Sequence, residues 1–263
     1  MRIAIISDIH GNLTALEATL ADIAAQAADQ IVCLGDVALL GPEPHGVSVR
    51  LRELGCPVVM GNCDTWMLDP PPPDPTEGED AARMAEINRW GAAQLTEGDK
   101  AFFRSFQPTI SLSLGGAAPP SPPPSAGEGD GGRGRTLLCF HGSPRSYDEI
   151  LRSTTPDAEL DEAFAGVRAA VLTGGHTHIQ LLRRWRGALL LNPGSVGLPY
   201  DAAPPDNDIH NPAWAEYAVL TADGPRLSVD LRRVPYALDD LRRSILASGM
   251  PHAAWWASEW VAA

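Results

Sequence analysis

The sequence predicts an α/β fold in which two sheets pack together with helices outside. Three features predict it. The first sixty residues alternate short apolar runs with helical patterns, several later apolar runs follow one another without intervening helices, and five of the runs end in Gly-flanked polar clusters.

In the first part, strands are expected at Arg2–Ile6, Ile31–Leu34 and Val58–Met60, and helices at Leu13–Ala25 and Val47–Leu54. Parallel strands need helical crossovers, so this alternation reads as β-α-β-α-β. Functional loops then belong at the carboxyl ends of the strands. The proline-rich run Asp69–Asp80 can neither continue a helix nor supply ladder hydrogen bonds and reads as a loop. Helical spacing resumes at Ala81–Leu95 and Lys100–Phe106, a small helical insertion spanning about residues 66–106. Strands are expected at Thr109–Leu114 and Thr136–Phe140. Between them, Gly115–Arg135 is nearly all Gly, Pro, Ala and Ser, which predicts a disordered hairpin extension. A helix near Ala158–Val167 precedes strands near Ala169–Leu172, Ile179–Trp185, Ala188–Leu191, Ala213–Leu220 and Arg226–Val234. A C-terminal helix is expected over about residues 238–261, with Trp255, Trp256 and Trp260 as its docking face. The 263 residues read as a single domain.

A net charge of -13 and the lack of a dense Lys/Arg cluster argue against non-specific nucleic-acid binding. No stretch approaches the ~18 apolar residues of a membrane span, and the apolar run at the N-terminus is too short for a signal-peptide core, so a cytoplasmic protein without membrane attachment is expected. Cys33, Cys56, Cys63 and Cys139 form no CxxC pair and read as reduced thiols. Composition leaves the oligomeric state open.

The polar clusters are Asp8-Ile9-His10, Gly35-Asp36, Gly61-Asn62-Cys63-Asp64, His141-Gly142 and Gly174-Gly175-His176-Thr177-His178. Residues two apart in extended backbone point the same way, so Asp8 with His10, and His176 with His178, can each face one site. A lone Asp-x-His or Gly-Asp arises easily by chance. Five such clusters in order, each after an apolar run, do not. Two carboxylates, one carboxamide and four imidazoles suit first-row transition metals better than Mg²⁺ or Ca²⁺. A pair of such cations about 3.5–4 Å apart clamps a phosphoryl group and lowers the pKa of a shared water.

This ordered series resembles the calcineurin-like metallophosphoesterase superfamily, whose pattern runs D-x-H, G-D, G-N-H-D/E, H-G and G-H-x-H. The resemblance covers about Met1–Gly197, and Asn192-Pro193-Gly194-Ser195-Val196-Gly197 is similar to a run in its small bacterial and archaeal phosphodiesterase branch. It implies a four-layer α/β/β/α sandwich of two mixed sheets flanked by helices, and two divalent transition metal ions, with Mn favoured over Fe, Zn, Ni or Co. Asp8, His10, Asp36 and His178 would hold one metal; Asp36, Asn62, His141 and His176 would hold the other. Asp36, Asn62, Cys63 and Asp64 are the implied catalytic group.

Two departures narrow the expectation. The Arg that grips phosphate in the protein phosphatases and dinucleoside tetraphosphatases is missing from Gly35-Asp36-Val37-Ala38-Leu39-Leu40-Gly41-Pro42. Cys63 replaces the His thought to protonate the leaving group, which implies slow turnover on esters with good leaving groups. The expected substrate is a small phosphoester, cleaved at a phosphodiester bond by attack of metal-activated hydroxide. Phosphomonoester or nucleotide hydrolysis at the same metals, and a non-catalytic protein-binding scaffold, are the alternatives. Of the remaining candidates, Asn12 or Thr14 is expected to cap the first helix, with a phosphate contact as the rival reading. Asp64 either orients a ligand or starts the next helix. His45 reads as a surface or substrate-cleft residue.

Overall fold

The first strand is buried on both faces, and this sets the layering. β1 (Arg2–Ile6) is followed by α1 (Leu13–Ala25), β2 (Gln30–Cys33) and α2 (Pro44–Leu54). Ile3 and Ile5 of β1 belong to one buried cluster, Ala4 and Ile6 to another, because successive side chains leave opposite faces of the strand. Ala4 and Ile6 pack with Leu16, Leu20, Val47 and Leu51 of the two helices. Each such aliphatic side chain, fully buried, contributes roughly 1.5–3 kcal/mol. The computed structural model describes residues 1–72, 78–115, 135–200 and 210–262.

Three helices follow: α3 (Asn62–Leu68), α4 (Glu79–Gln94) and α5 (Glu97–Phe103). Next come β3 (Ile110–Ser113), β4 (Thr136–Cys139), α6 (Asp157–Ala163), β5 (Val171–Thr173), β6 (Leu181–Trp185) and β7 (Ala188–Asn192). The chain ends with β8 (Asn211–Pro212), β9 (Trp214–Asp223), β10 (Arg226–Pro235), α7 (Leu238–Ala247), α8 (Ala253–Ser258) and β11 (Trp260–Val261).

One sheet has the order β10-β9-β1-β2, the other β3-β4-β5-β7-β6, and β8 pairs with β11 apart from both. Both large sheets are mixed. β1 runs parallel to β2 but antiparallel to β9, while β4, β5 and β7 are parallel between antiparallel edge strands β3 and β6. Ile3, Ile5, Val32 and Leu34 meet Leu137, Cys139, Val171 and Leu191 in the core between the sheets. The far face of the second sheet, through Leu172 and Leu190, packs on Leu160 and Phe164. The result is the expected pair of mixed sheets flanked by helices.

Some elements differ from the sequence reading. Val58–Met60 forms no ladder of its own; Val58 and Val59 make single bridges to Cys33 and Gln107. The C-terminal segment is two helices and a short strand instead of one helix, since Pro251 lacks the N–H a continuous helix needs. Trp256 and Trp260 are buried there against Ile87 of α4, with Leu241 and Ile245 of α7. Asn12 is the N-cap of α1, its Oδ1 accepting the Ala15 N–H at 3.0 Å. Nearly all of the Gly115–Arg135 extension lies outside the described residues.

Candidate metal centre

The polar clusters lie at the carboxyl ends of β1, β2, β4 and β5 and at the start of α3, where the two sheets meet. Backbone bonds lace these loops together. Asp8 N–H donates to Gly35 O at 3.0 Å, His10 N–H to Asp36 O at 3.0 Å, and Gly175 N–H to His141 O at 2.9 Å. The run after β7 clasps one sheet's loops to the other's: Val196 and Gly197 N–H donate to Ser7 O and Asp8 O, each at 2.9 Å. Ser195 Oγ donates to Asp8 O at 2.7 Å and accepts from Leu198 N–H at 2.7 Å. Asn192 Nδ2 donates to Gly175 O at 2.7 Å.

All seven metal-ligand candidates named from the sequence come together here. Three imidazoles are oriented in the same way. His10 Nδ1 donates to Leu39 O at 3.1 Å, His141 Nδ1 to Leu34 O at 2.8 Å, and His178 Nδ1 to Leu198 O at 2.7 Å. A ring that donates through Nδ1 presents the Nε2 lone pair on its other side, the arrangement of a metal-ligating histidine. The Nε2 atoms of His10 and His178 are 3.1 Å apart. His141 Nε2 lies 3.0 Å from Asn62 Oδ1 and 3.3 Å from Asp36 Oδ2, and His178 Nε2 lies 3.4 Å from Asp8 Oδ1. Three sets have donor atoms within 4.8 Å of one another: Asp8, His10 and His178; Asp36, His141 and His176; and His10, Asp36 and Cys63.

Burial and charge act against each other at these groups. Burial and the neighbouring His178 lower the His10 pKa to about 4. Burial also disfavours charge on His141, but the Asp36 carboxylate outweighs it and raises that pKa to about 10. Burial would raise the Asp36 and Asp8 carboxyls, yet His141 and His10 hold Asp36 low, and His178 and His141 hold Asp8 low. The two carboxylates thus favour positive charge on the imidazoles they face most closely, His141 and His178, while burial keeps His10 neutral. Among the described residues, the ion-pair partners of Asp8 and Asp36 are histidines alone.

Asp64 is wholly buried in the first turn of α3. Its Oδ2 accepts from Asp36 N–H and Gly61 N–H at 2.9 Å each, and its Oδ1 accepts from Val37 N–H at 2.8 Å. It thus ties the first turn of α3 to the loop that carries Asp36. A side chain on Gly61 would place a Cβ 2.1 Å from Asp36 Oδ1, so only glycine fits there. Cys63 N–H donates to Asp36 Oδ1 at 2.9 Å, and burial with the Asp36 charge pushes the Cys63 thiol pKa well up, leaving it neutral. Val37, Ala38 and Leu39, in the stretch where an Arg would grip phosphate, are core residues. His45 lies outside the centre, its Nδ1 2.7 Å from Asp99 Oδ2. Sequence reasoning missed Tyr200, whose ring stacks on His178 at 4.9 Å between centroids and 14° between planes.

Comparison with known proteins agrees with this architecture. A calcineurin-like phosphoesterase superfamily domain matches residues 1–211. An uncharacterized protein of Methanocaldococcus jannaschii is 26% identical over 271 residues, covering 95% of this chain and 93% of that protein. The crystal structure of a metallophosphoesterase from Sphaerobacter thermophilus is 27% identical with a TM-score of 0.68, covering 98% of this chain and 99% of that one. A hypothetical protein from Pyrococcus horikoshii OT3, 17% identical, shares the fold with a TM-score of 0.71 over 95% and 94% of the two chains. No helix among the described residues is long and apolar enough to cross a membrane. With the domain match spanning every polar cluster of the centre, the chain belongs to the calcineurin-like phosphoesterase superfamily.

Proposed function

We propose that the chain is a phosphodiesterase with a binuclear centre of divalent transition metals, Mn²⁺ favoured, acting on a small phosphoester. The observation that carries this reading is the convergence of imidazole lone pairs on two buried carboxylates. Two neutral imidazoles do not hold their Nε2 atoms 3.1 Å apart with both lone pairs inward unless a cation or a proton lies between them. The donor set therefore fits a metal. Asp8, His10, Asp36 and His178 would hold one ion, and Asp36, Asn62, His141 and His176 the other. Bound there, the ions would supply Lewis acidity toward a phosphoryl oxygen and acidify water.

The protein's own groups set what substrate this suits. The carboxylates bring negative charge and, among the described residues, no Lys or Arg pairs with them to offset a dianionic monoester. A diester carries one charge fewer. Cys63, with its neutral, high-pKa thiol, is a weak hydrogen-bond donor to a leaving group, which favours esters whose leaving groups need little protonation. Asp64 braces the Asp36 loop through the backbone N–H groups it accepts.

The test is hydrolysis of an aryl phosphodiester and the matching monoester by metal-stripped protein reloaded separately with Mn²⁺, Ni²⁺, Co²⁺, Zn²⁺ or Mg²⁺, with Asp36→Asn as control. Diester cleavage with a transition metal and an inactive control is the expected result. Preference for the monoester would overturn the diester reading, and metal binding without turnover of either ester would make the chain a scaffold.

A further inference from the structure

Among the Phe, Trp and Tyr side chains of the described residues, only Trp66 and Tyr200 are exposed, at 37% and 38%. Both belong to elements that build the centre. Tyr200 stacks on His178 and lies two residues after Leu198, whose carbonyl accepts the His178 Nδ1–H at 2.7 Å. Trp66 lies one turn after Asn62 in α3, at the i, i+4 spacing that puts two side chains on one helix face. Ile179, directly after His178, adds a further exposed apolar side chain. Exposed apolar groups scattered singly need no explanation. Of the described Phe, Trp and Tyr residues, the two exposed ones both belong to elements of the centre, Tyr200 against His178 and Trp66 four residues after Asn62.

We propose that Tyr200 and Trp66 form an aromatic rim that selects phosphoesters carrying a planar aromatic group, with Tyr200 as the main stacking surface. This rests on the phosphodiesterase reading and names its substrate class. One face of the Tyr200 ring is covered by His178, and the residue is still 38% exposed beside the centre. A planar group stacking there would place the ester's phosphate toward the Asp8, His10 and His178 donors. An aliphatic ester gains nothing from the ring. Aryl esters and nucleoside esters share this chemistry, because every base has a π-face.

The experiment measures binding, not turnover. Dimethylphosphinate, methylphenylphosphinate and the methylene methylphosphinate analogue of adenosine 5′-monophosphate, each singly charged like a diester, are titrated calorimetrically into Mn²⁺-loaded protein, with metal content determined for each variant. The aromatic probes are expected to bind about 5- to 150-fold more tightly than dimethylphosphinate, the range that stacking of one base on an aromatic side chain supplies. Tyr200→Leu should bring that ratio close to one at unchanged metal content, and Tyr200→Phe should keep it. Tighter binding of the adenosine probe would assign nucleoside esters, and tighter binding of the phenyl probe aryl esters. Equal binding of aromatic and aliphatic probes by the wild-type protein would overturn the proposal. Loss of metal in step with loss of binding in Tyr200→Leu would also overturn it, since Tyr200 would then only shield His178. Because no ester is cleaved, failure of the phosphodiesterase reading in its own assay leaves this result separately interpretable.

Discussion

Asp64→Asn separates a bracing residue from a catalytic one, since the two shapes differ by little more than one hydrogen-bonding atom. The Asp64 carboxylate accepts three backbone N–H groups, two through Oδ2 and one through Oδ1. A carboxamide has one oxygen, so at best two of the three survive, and its NH₂ would then point at the N–H of Val37. The loss is one charge-assisted hydrogen bond, roughly 1.5–3 kcal/mol, together with part of the cost of a buried N–H left without an acceptor. Burial and the Asp36 charge raise the Asp64 pKa to about 7, so the carboxylate is already disfavoured and the figure belongs toward the middle of the range. We expect about 2–4 kcal/mol of destabilisation, or roughly 5–15 °C in Tm for a domain of this size. Thermal and urea unfolding of metal-stripped protein, with metal affinity measured by calorimetry, would read it. A variant within about 0.5 kcal/mol of wild type, the ordinary range of surface substitutions, that still bound metal normally would refute the bracing argument. If such a variant had nonetheless lost kcat, Asp64 would be acting in the chemistry itself.

Cys63→His should raise the rate on alkyl relative to aryl phosphodiesters by at least about tenfold, because a positioned imidazole can protonate a poor leaving group; an unchanged ratio would mean the thiol does not limit turnover. Ser195→Ala removes the hydroxyl that joins Asp8 O to Leu198 N–H and should destabilise the fold by about 2–4 kcal/mol while weakening metal affinity, both readable by unfolding and metal titration. Burial works against ionisation of Asp99, but hydrogen bonds from Thr96, Ser48 and His45 outweigh it and lower the pKa to about 2. A depressed carboxylate stabilises the fold above its unfolded pKa of 3.8 and loses that contribution as pH falls through about 2. Asp99→Asn should therefore flatten the stability curve between pH 5 and pH 2 by on the order of 2 kcal/mol, and parallel curves for variant and wild type would disprove the linkage.

The features that local pattern determines were legible in the sequence. Arg2–Ile6 and Leu13–Ala25 were readable end to end because an apolar run and a helical repeat carry their own signal. Val58–Met60 has the same apolar character but is too short to form more than single bridges to Cys33 and Gln107, and the second of these is distant in sequence. β8 and β11 pair across some fifty residues, through Asn211 and Pro212, which have no strand character of their own. The start of α5 carried a missed local signal, Thr96 with Asp99 three residues on, which form a reciprocal capping box. Tyr200 left no trace, because its stacking on His178 depends on where the loop after β7 crosses the loop after β5.

The centre's backbone is a further case of what residue types do not reveal. Asp8, His10, Asp36, His176 and His178 have φ of 54°, 49°, 54°, 69° and 56°, in the left-handed region. For an L-residue that conformation costs roughly 1–2 kcal/mol, so five of them amount to about 5–10 kcal/mol, comparable with the whole stability of a domain. Sequence offers no glycine at these positions to betray the geometry, because each carries one of the converging side chains. What offsets the strain is the lacing around it: three imidazole-to-carbonyl bonds, the three N–H groups on Asp64, and the Ser195 and Asn192 contacts. Those partners bear no donor atom toward the centre, yet the donor angles depend on them. The polar clusters therefore identify which residues meet, whereas the rigidity that would let them act comes from braces that bear no donor atom toward the centre: Asp64 inside one cluster, and Leu34, Leu39, Asn192, Ser195 and Leu198 outside all five.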